Sequence, residues 1–116
     1  MLAAVDDLFF AARLQAVAAA AGIRLVECRT HEQFRTSVAS SVPDLVILDL
    51  NSASCRPLEA IRHLKADPRL RDVPVVGFLS HVQTDLAQSA AEAGCDCVLP
   101  RSKFSARLAQ ILAGAE

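Results

Sequence analysis

Only four glycines are spread through the 116 residues, and no two of them stand close enough to build the glycine-rich loop that cradles a phosphate chain. Their scarcity speaks against a nucleotide-binding loop. An excess of positive charge is also missing. Twelve basic and 13 acidic residues give a formal net charge of −1 with no basic stripe, so no nucleic-acid partner is expected. Long apolar runs are absent too, since none reaches the roughly 18 to 20 residues needed to span a bilayer. The opening "MLAAVDDLFFAARLQAVAAAAG" is broken by Asp6, Asp7, Arg13 and Gln15 where a secretory leader would need an unbroken apolar region. The chain is therefore expected in the cytoplasm and away from membranes.

Cysteine is present but unpatterned. Cys28, Cys55, Cys95 and Cys97 form no CxxC pair and have no histidine at zinc-finger spacing, and a reducing cytosol would keep them as thiols. On a strand, Cys95 and Cys97 are expected to point to the same face as small core-lining groups. His31, His63 and His81 are scattered over expected helix starts, helix surfaces and loops with no carboxylate at ligand spacing, so each is expected to be solvated. No Ser/His/Asp or Cys/His set emerges either. A small enzyme is thereby disfavoured.

What the chain has is a 53% hydrophobic content and a length suited to one domain over residues 1–116. A short apolar run ends in Asp6-Asp7, and "LFFAARLQAVAAAAG" then repeats apolar residues at helical spacing until Gly22 offers a cap. "IRLVECR" suits a strand, and Thr30 with Gln33 forms a capping box for the helix "HEQFRTSVASS". "DLVILD" reads as a buried strand, Pro57 fits the first turn of a helix carrying Leu58, Ile61 and Leu64, and "VPVVGFL" is a fourth strand. The helix "QTDLAQSAAEAG", closed by Gly94, then leads to the strand "CDCVLP" and a last helix "SARLAQILAG". Strands separated by helices require right-handed crossovers, which predicts an α/β fold with one parallel sheet covered on both faces.

In such a sheet the carboxyl ends of the strands open on one edge, where functional groups gather. Asp6-Asp7, Asp49, Leu79-Ser80 and Arg101-Ser102-Lys103 fall there. Three carboxylates so placed repel one another and call for a cation. Magnesium takes oxygen ligands and keeps several waters, so one or two of Asp6, Asp7 and Asp49 with a backbone carbonyl near Asn51 would suffice. Such an ion would also offset the charge of a phosphoryl group transferred to Asp49 as nucleophile. The plainer alternative is that the three aspartates merely cap the loops and helices they precede.

The order of elements, with "AVDD" closing the first strand, "DLVILDLN" the third, "VPVVGFLSH" the fourth and "AGCDCVLPRS" the fifth, resembles the receiver domain of two-component response regulators over essentially the whole chain. The resemblance implies a flavodoxin-like (βα)5 fold with strand order 2-1-3-4-5. It also implies Asp49 as the acceptor of a phosphoryl group from a histidine kinase, and magnesium held by Asp6, Asp7, Asp49 and the Asn51 backbone carbonyl.

Several positions depart from that family. Leu79 stands where receivers carry Thr or Ser, and Ser80, one residue later, supplies a hydroxyl only if the backbone slips. Arg101-Ser102 replaces the family's Lys-Pro, with Lys103 two residues on, and a planar guanidinium is no simple substitute for an ammonium. Val98 occupies the aromatic switch position, and the loop after Asp49 reads "SASCRP" in place of Met-Pro and Asp-Gly.

Two functions are consistent with this pattern. One is a stand-alone phosphorelay receiver, not an enzyme, served by a histidine kinase or phosphotransfer protein and acting on a downstream protein through the face of the fourth helix, fifth strand and fifth helix. The other is a pseudo-receiver that uses the same face as a phosphorylation-independent binding module. A homodimer is compatible with either. Phe104, Leu108, Ile111 and Leu112 are expected in the core, and Gln83, Asp85, Gln88, Arg101, Lys103 and Arg107 on the exposed rim.

Overall fold

Val46, Ile47, Leu48 and Asp49 are all buried, which a strand achieves only inside a sheet covered on both faces. In the computed structural model, which describes residues 1–80 and 83–113, this strand β3 (Val46–Asp49) lies between β1 (Leu2–Ala4) and β4 (Val75–Leu79). The edges are β2 (Val26–Cys28) and β5 (Cys97–Pro100). Every pairing is parallel and the order is β2-β1-β3-β4-β5, the flavodoxin-like arrangement. His81, expected to be solvated, lies outside the described residues.

Alternate residues of the strands feed two cores, as the pleat requires. Leu2, Ala4, Val46, Leu48 and Val75 face α2 (His31–Ser40), α3 (Pro57–Ala66) and α4 (Thr84–Ala93), which contribute Phe34, Ile61, Leu64 and Ala90. Ala3, Val5, Ile47, Val76 and Phe78 face α1 (Leu8–Ala20), α5 (Arg101–Ala106) and α6 (Leu108–Leu112). On that side Phe10, Phe78 and Phe104 form one aromatic cluster, with centroids 4.7 Å apart for Phe78–Phe104 and 4.8 Å for Phe10–Phe78. Leu108, Ile111 and Leu112 are buried there as well, as expected.

Local signals place the helix ends. Asp7 caps α1, and Thr30 Oγ1 accepts the Gln33 N–H at 3.1 Å while Gln33 Oε1 accepts that of Arg29 at 2.7 Å. Pro57 is the first residue of α3. Gly22 at φ 72° follows α1 and Gly94 at φ 118° ends α4, both in the left-handed region that glycine enters without cost. Arg56, just ahead of Pro57, takes φ 46° without glycine's freedom.

Four expectations need correction. The last helix starts at Arg101 and not at Ser105, because nothing after Pro100 opposes helix formation. It divides at Arg107, whose N–H is shared between Lys103 O at 3.1 Å and Phe104 O at 3.2 Å, a tightened turn. The second strand is only Val26–Cys28, since its pairing to β1 ends with the three-residue β1. Cys95 and Cys97 do not share a face: Cys95 precedes β5 and is buried in the α2–α4 core, while Cys97, within β5, packs on the α1 side. Finally, His31 is largely withdrawn from solvent, its side chain 15% exposed and its ring stacked on Phe34.

Candidate functional site

The parallel sheet delivers the ends of β1, β3, β4 and β5 to one edge, and each acidic residue there has a distinct set of donors. Asp49 ends β3, is 7% exposed, and accepts the Asn51 N–H on Oδ1 at 2.9 Å. Burial pushes its carboxyl above the ordinary value; the Asn51 N–H and the Arg101 charge pull it down, and the charges of Asp6 and Asp7 push it up again. Asp49 thus feels the charges of Arg101, Asp6 and Asp7, after its own burial and its bond to the Asn51 N–H.

Asp7 faces two ways. Its Oδ1 accepts the Phe9 and Phe10 N–H groups at 3.0 and 3.1 Å, and its Oδ2 accepts Arg101 Nη2 at 3.2 Å. The cap bond from Phe10 outweighs the opposing effect of burial and, with the hydrogen bond and charge of Arg101, holds its carboxyl below the usual range. Asp6 is exposed, yet its Oδ2 accepts both the Ser52 and the Ser54 hydroxyls at 2.7 Å. These two serines were not singled out in the sequence. Their signal is a pair of hydroxyls two residues apart in "SASC", beginning three residues after the acceptor candidate.

Arg101 is the first residue of α5, and its side chain turns inward. The guanidinium carbon lies 4.4 Å from the Phe10 ring centroid and 5.5 Å from that of Phe78, so the cation rests on the aromatic cluster. Its Nε is buried with no partner. Gln83, expected on the rim, is half-buried there, and its Oε1 accepts the exposed Asn51 Nδ2 at 2.7 Å. Asp85, Gln88, Lys103 and Arg107 are exposed.

At the end of β4, Leu79 is 2% exposed, with its side chain in the α2–α4 core. Ser80 is exposed and its N–H donates to Asn51 Oδ1 at 2.7 Å. The register pairs Leu79 with Pro100. Val98 is half-buried against the α2–α4 core.

Asp6, Asp7 and Asp49 offer carboxylate oxygens, the kind of donor that a hard divalent cation takes, and a cation would relieve the repulsion that Asp6 and Asp7 exert on Asp49. They are not drawn together as ligands: among the described residues, no group of three or more His, Cys, Asp or Glu side chains is arranged to hold a metal ion.

No protein-family model and no curated protein sequence matches the chain. Solved structures do. A response regulator from Hahella chejuensis superposes with a TM-score of 0.86 at 21% identity, covering 97% of this chain and 90% of the other. The phosphorylated cyanobacterial phytochrome response regulator RcpA gives 0.82 at 23%, over 97% and 87% of the two chains. The receiver domain of the Pseudomonas aeruginosa sensor histidine kinase PA1611, with magnesium in its active-site cleft, gives 0.79 at 19%, over 97% and 95%. The chain has the fold of response-regulator receiver domains.

Proposed function

We propose that the chain is a receiver-like module of a two-component phosphorelay, with Asp49 as the phosphoacceptor. The observation that carries this reading is the position of Asp49: a buried carboxylate at the end of the central strand, electrostatically joined to Asp6, Asp7 and Arg101. In the transfer, an Asp49 carboxylate oxygen attacks the phosphorus of a phosphohistidine on a kinase or phosphotransfer protein. The P–N bond breaks as the P–O bond forms, and the leaving imidazole takes up a proton. Asp49 must be ionised to attack, and the Asn51 N–H and Arg101 favour that form against the effect of burial. Magnesium held by Asp6, Asp7, Asp49 and the Asn51 backbone carbonyl would supply charge neutralisation for the phosphoryl group.

Arg101 offers a further positive charge to the phosphoryl oxygens. Ser80 is the nearest hydroxyl in sequence to the β4 end, and its use requires the strand end to rearrange. Output runs through a protein partner, or a second copy of the chain, at the face of α4, β5 and α5, where Asp85, Gln88, Lys103 and Arg107 are exposed. On this reading the protein is a cytoplasmic signalling module and not an enzyme, with no nucleic-acid or membrane partner.

The second reading is a phosphorylation-independent pseudo-receiver. Buried Leu79, ringless Val98 and the closed Arg101–Asp7 pair favour it, because each removes a step by which phosphate would reach the output face. Incubation with a small phosphoryl donor and magnesium, followed by intact-mass measurement, separates the two. The receiver reading expects one added phosphoryl group in the wild type and none in Asp49→Asn. An unmodified wild type supports the pseudo-receiver.

A further inference from the structure

Just past the end of β3 the Leu50 N–H still donates to Phe78 O of β4 at 2.9 Å, and from there a side chain carries the connection on. Asn51 donates its N–H to Asp49 Oδ1 at 2.9 Å, accepts the Ser80 N–H on Oδ1 at 2.7 Å, and donates from Nδ2 to Gln83 Oε1 at 2.7 Å. The polarity of this set is fixed, because a backbone N–H can only donate. Ser80 must meet the Asn51 oxygen, which leaves the Asn51 amide NH2 to Gln83 and requires the Gln83 oxygen to face it.

Gln83 is the residue that opens α4, and its side chain makes no cap to that helix. Helix starts favour Ser, Thr, Asp or Asn, whose short side chains reach the free N–H groups. Here a longer side chain crosses to the β3 loop, so the start of α4 is tethered to Asn51 instead of capped. Leu79 has no hydroxyl to offer at the end of β4, and its side chain lies in the α2–α4 core.

We propose that the Asn51 side chain is the coupling link of this chain, passing the chemical state of Asp49 to the start of α4 through Ser80 and Gln83. This rests on the reading of Asp49 as the phosphoacceptor. An ionised Asp49 is a charged acceptor for the Asn51 N–H, and such bonds are roughly twice as strong as neutral ones. Phosphoryl transfer turns the carboxylate into an acyl phosphate, so its charge is lost and negative charge sits on the phosphoryl oxygens beyond it. The Asn51 N–H follows that charge outward. Because the Asn51 amide is held on both its oxygen and its nitrogen, the displacement is felt at Ser80 and Gln83, and α4 starts from an altered anchor. Both side-chain bonds are exposed, where water can replace them, so the link exchanges readily. Asn51 and Gln83 are positioning residues here, acting through backbone and helix and not on the phosphorus.

The test compares wild type, Gln83→Leu, Gln83→Glu and Asn51→Ala by amide NMR before and after treatment with acetyl phosphate and magnesium, the phosphorylated fraction being read from intact mass. Spectra before treatment establish an intact fold. In the wild type the added phosphoryl group should shift the amides of Leu50 to Ser52 and, with them, those of Thr84 to Ala87. Gln83→Leu removes the acceptor of the link and should keep the first set of shifts while losing the second. Gln83→Glu retains an acceptor oxygen and should restore both. Asn51→Ala, compared per phosphorylated molecule, should lose the α4 shifts as Gln83→Leu does. A role confined to holding the two loops together would alter the starting spectrum of Gln83→Leu and leave its α4 response to phosphorylation intact.

Shifts along α4 of wild-type size in Gln83→Leu or Asn51→Ala, or none in the phosphorylated wild type, overturn the link and leave Asp49 as the acceptor. A wild type that gains no phosphoryl group overturns the acceptor reading and the link with it.

Discussion

Asp7 and Arg101 stand 94 residues apart in the chain and meet at 3.2 Å across the carboxyl edge of the sheet. The same aspartate caps α1, so one side chain joins the start of the first helix to the start of α5. The two roles can be separated. Asp7→Ala removes both and should lower stability by about 1–2 kcal/mol, mostly through the cap. Asp7→Ser keeps a capping oxygen and loses only a partly exposed ion pair, a loss of about 0.5 kcal/mol. Urea unfolding of both variants checks the order. Because the Asp7 carboxyl is depressed in the fold, its contribution is present above the unfolded carboxylate range and fades as pH falls through the depressed value. The Asp7→Ala curve should approach the wild type in acid.

Asp49 behaves oppositely. Its carboxyl is raised by burial, so the folded state binds that proton more tightly than the unfolded chain does. Below the unfolded carboxylate value both states are protonated and Asp49 is neutral in effect. As pH rises through the folded value, ionisation costs stability. Asp49→Asn should therefore stabilise the fold at neutral pH by on the order of 1 kcal/mol, with the advantage vanishing in acid. Thermal melts across pH, without added metal, measure it, and a variant less stable than wild type at neutral pH would sink the idea.

Arg56 occupies φ 46°, ψ 65° ahead of α3 with its side chain 63% exposed and only a 3.7 Å contact to Glu59. A left-handed conformation costs an L-residue roughly 1–2 kcal/mol, and glycine avoids that cost while loosening the unfolded chain. Arg56→Gly should gain about 0.5–1 kcal/mol net, whereas Arg56→Val, branched at Cβ, should lose stability. Chemical denaturation midpoints of the two variants should move in opposite directions.

Gly77 in β4 lies directly against Leu50, the residue after Asp49. A Cβ added at Gly77 would meet Leu50 Cδ1 at 2.9 Å and Cγ at 3.0 Å. Gly77→Ala should cost about 1–3 kcal/mol by overpacking, and Leu50→Ala about 2–5 kcal/mol by opening a cavity. The double variant should cost less than the sum, with a coupling of about 1 kcal/mol in a double-mutant cycle. Additive losses would mean that Leu50 moves aside without strain.

Much of this architecture is legible along the chain. The apolar run into Asp49, the capping box at Thr30, Pro57 and Gly94 each report a local requirement of backbone or solvent, and the structure places them at the expected element ends. Where the structure differs from the local pattern, the deciding contact is not local. Strand β5 is shorter than "CDCVLP", because its pairing with β4 begins at Val76 and Cys97, which leaves Cys95 ahead of the strand and in the other core. Arg101 looks like a rim residue by type, yet turns inward to a partner 94 positions away, and Gln83 stays at the rim but is tied to Asn51, 32 positions back.

The alternation of strands and helices, and the arrival of Asp6, Asp7, Asp49 and Arg101 at one edge, follow from the order of residues alone, because parallel crossovers send every strand end to the same side. What each carboxylate meets there depends on the folded arrangement. Asp6 takes Ser52 and Ser54, Asp7 takes Arg101, and Asp49 is left to a backbone N–H and the field of its neighbours. The pairings of Asp6 and Asp7 with Ser52, Ser54 and Arg101 depend on register, loop path and rotamer over separations of 46 to 94 residues, and no local propensity encodes them.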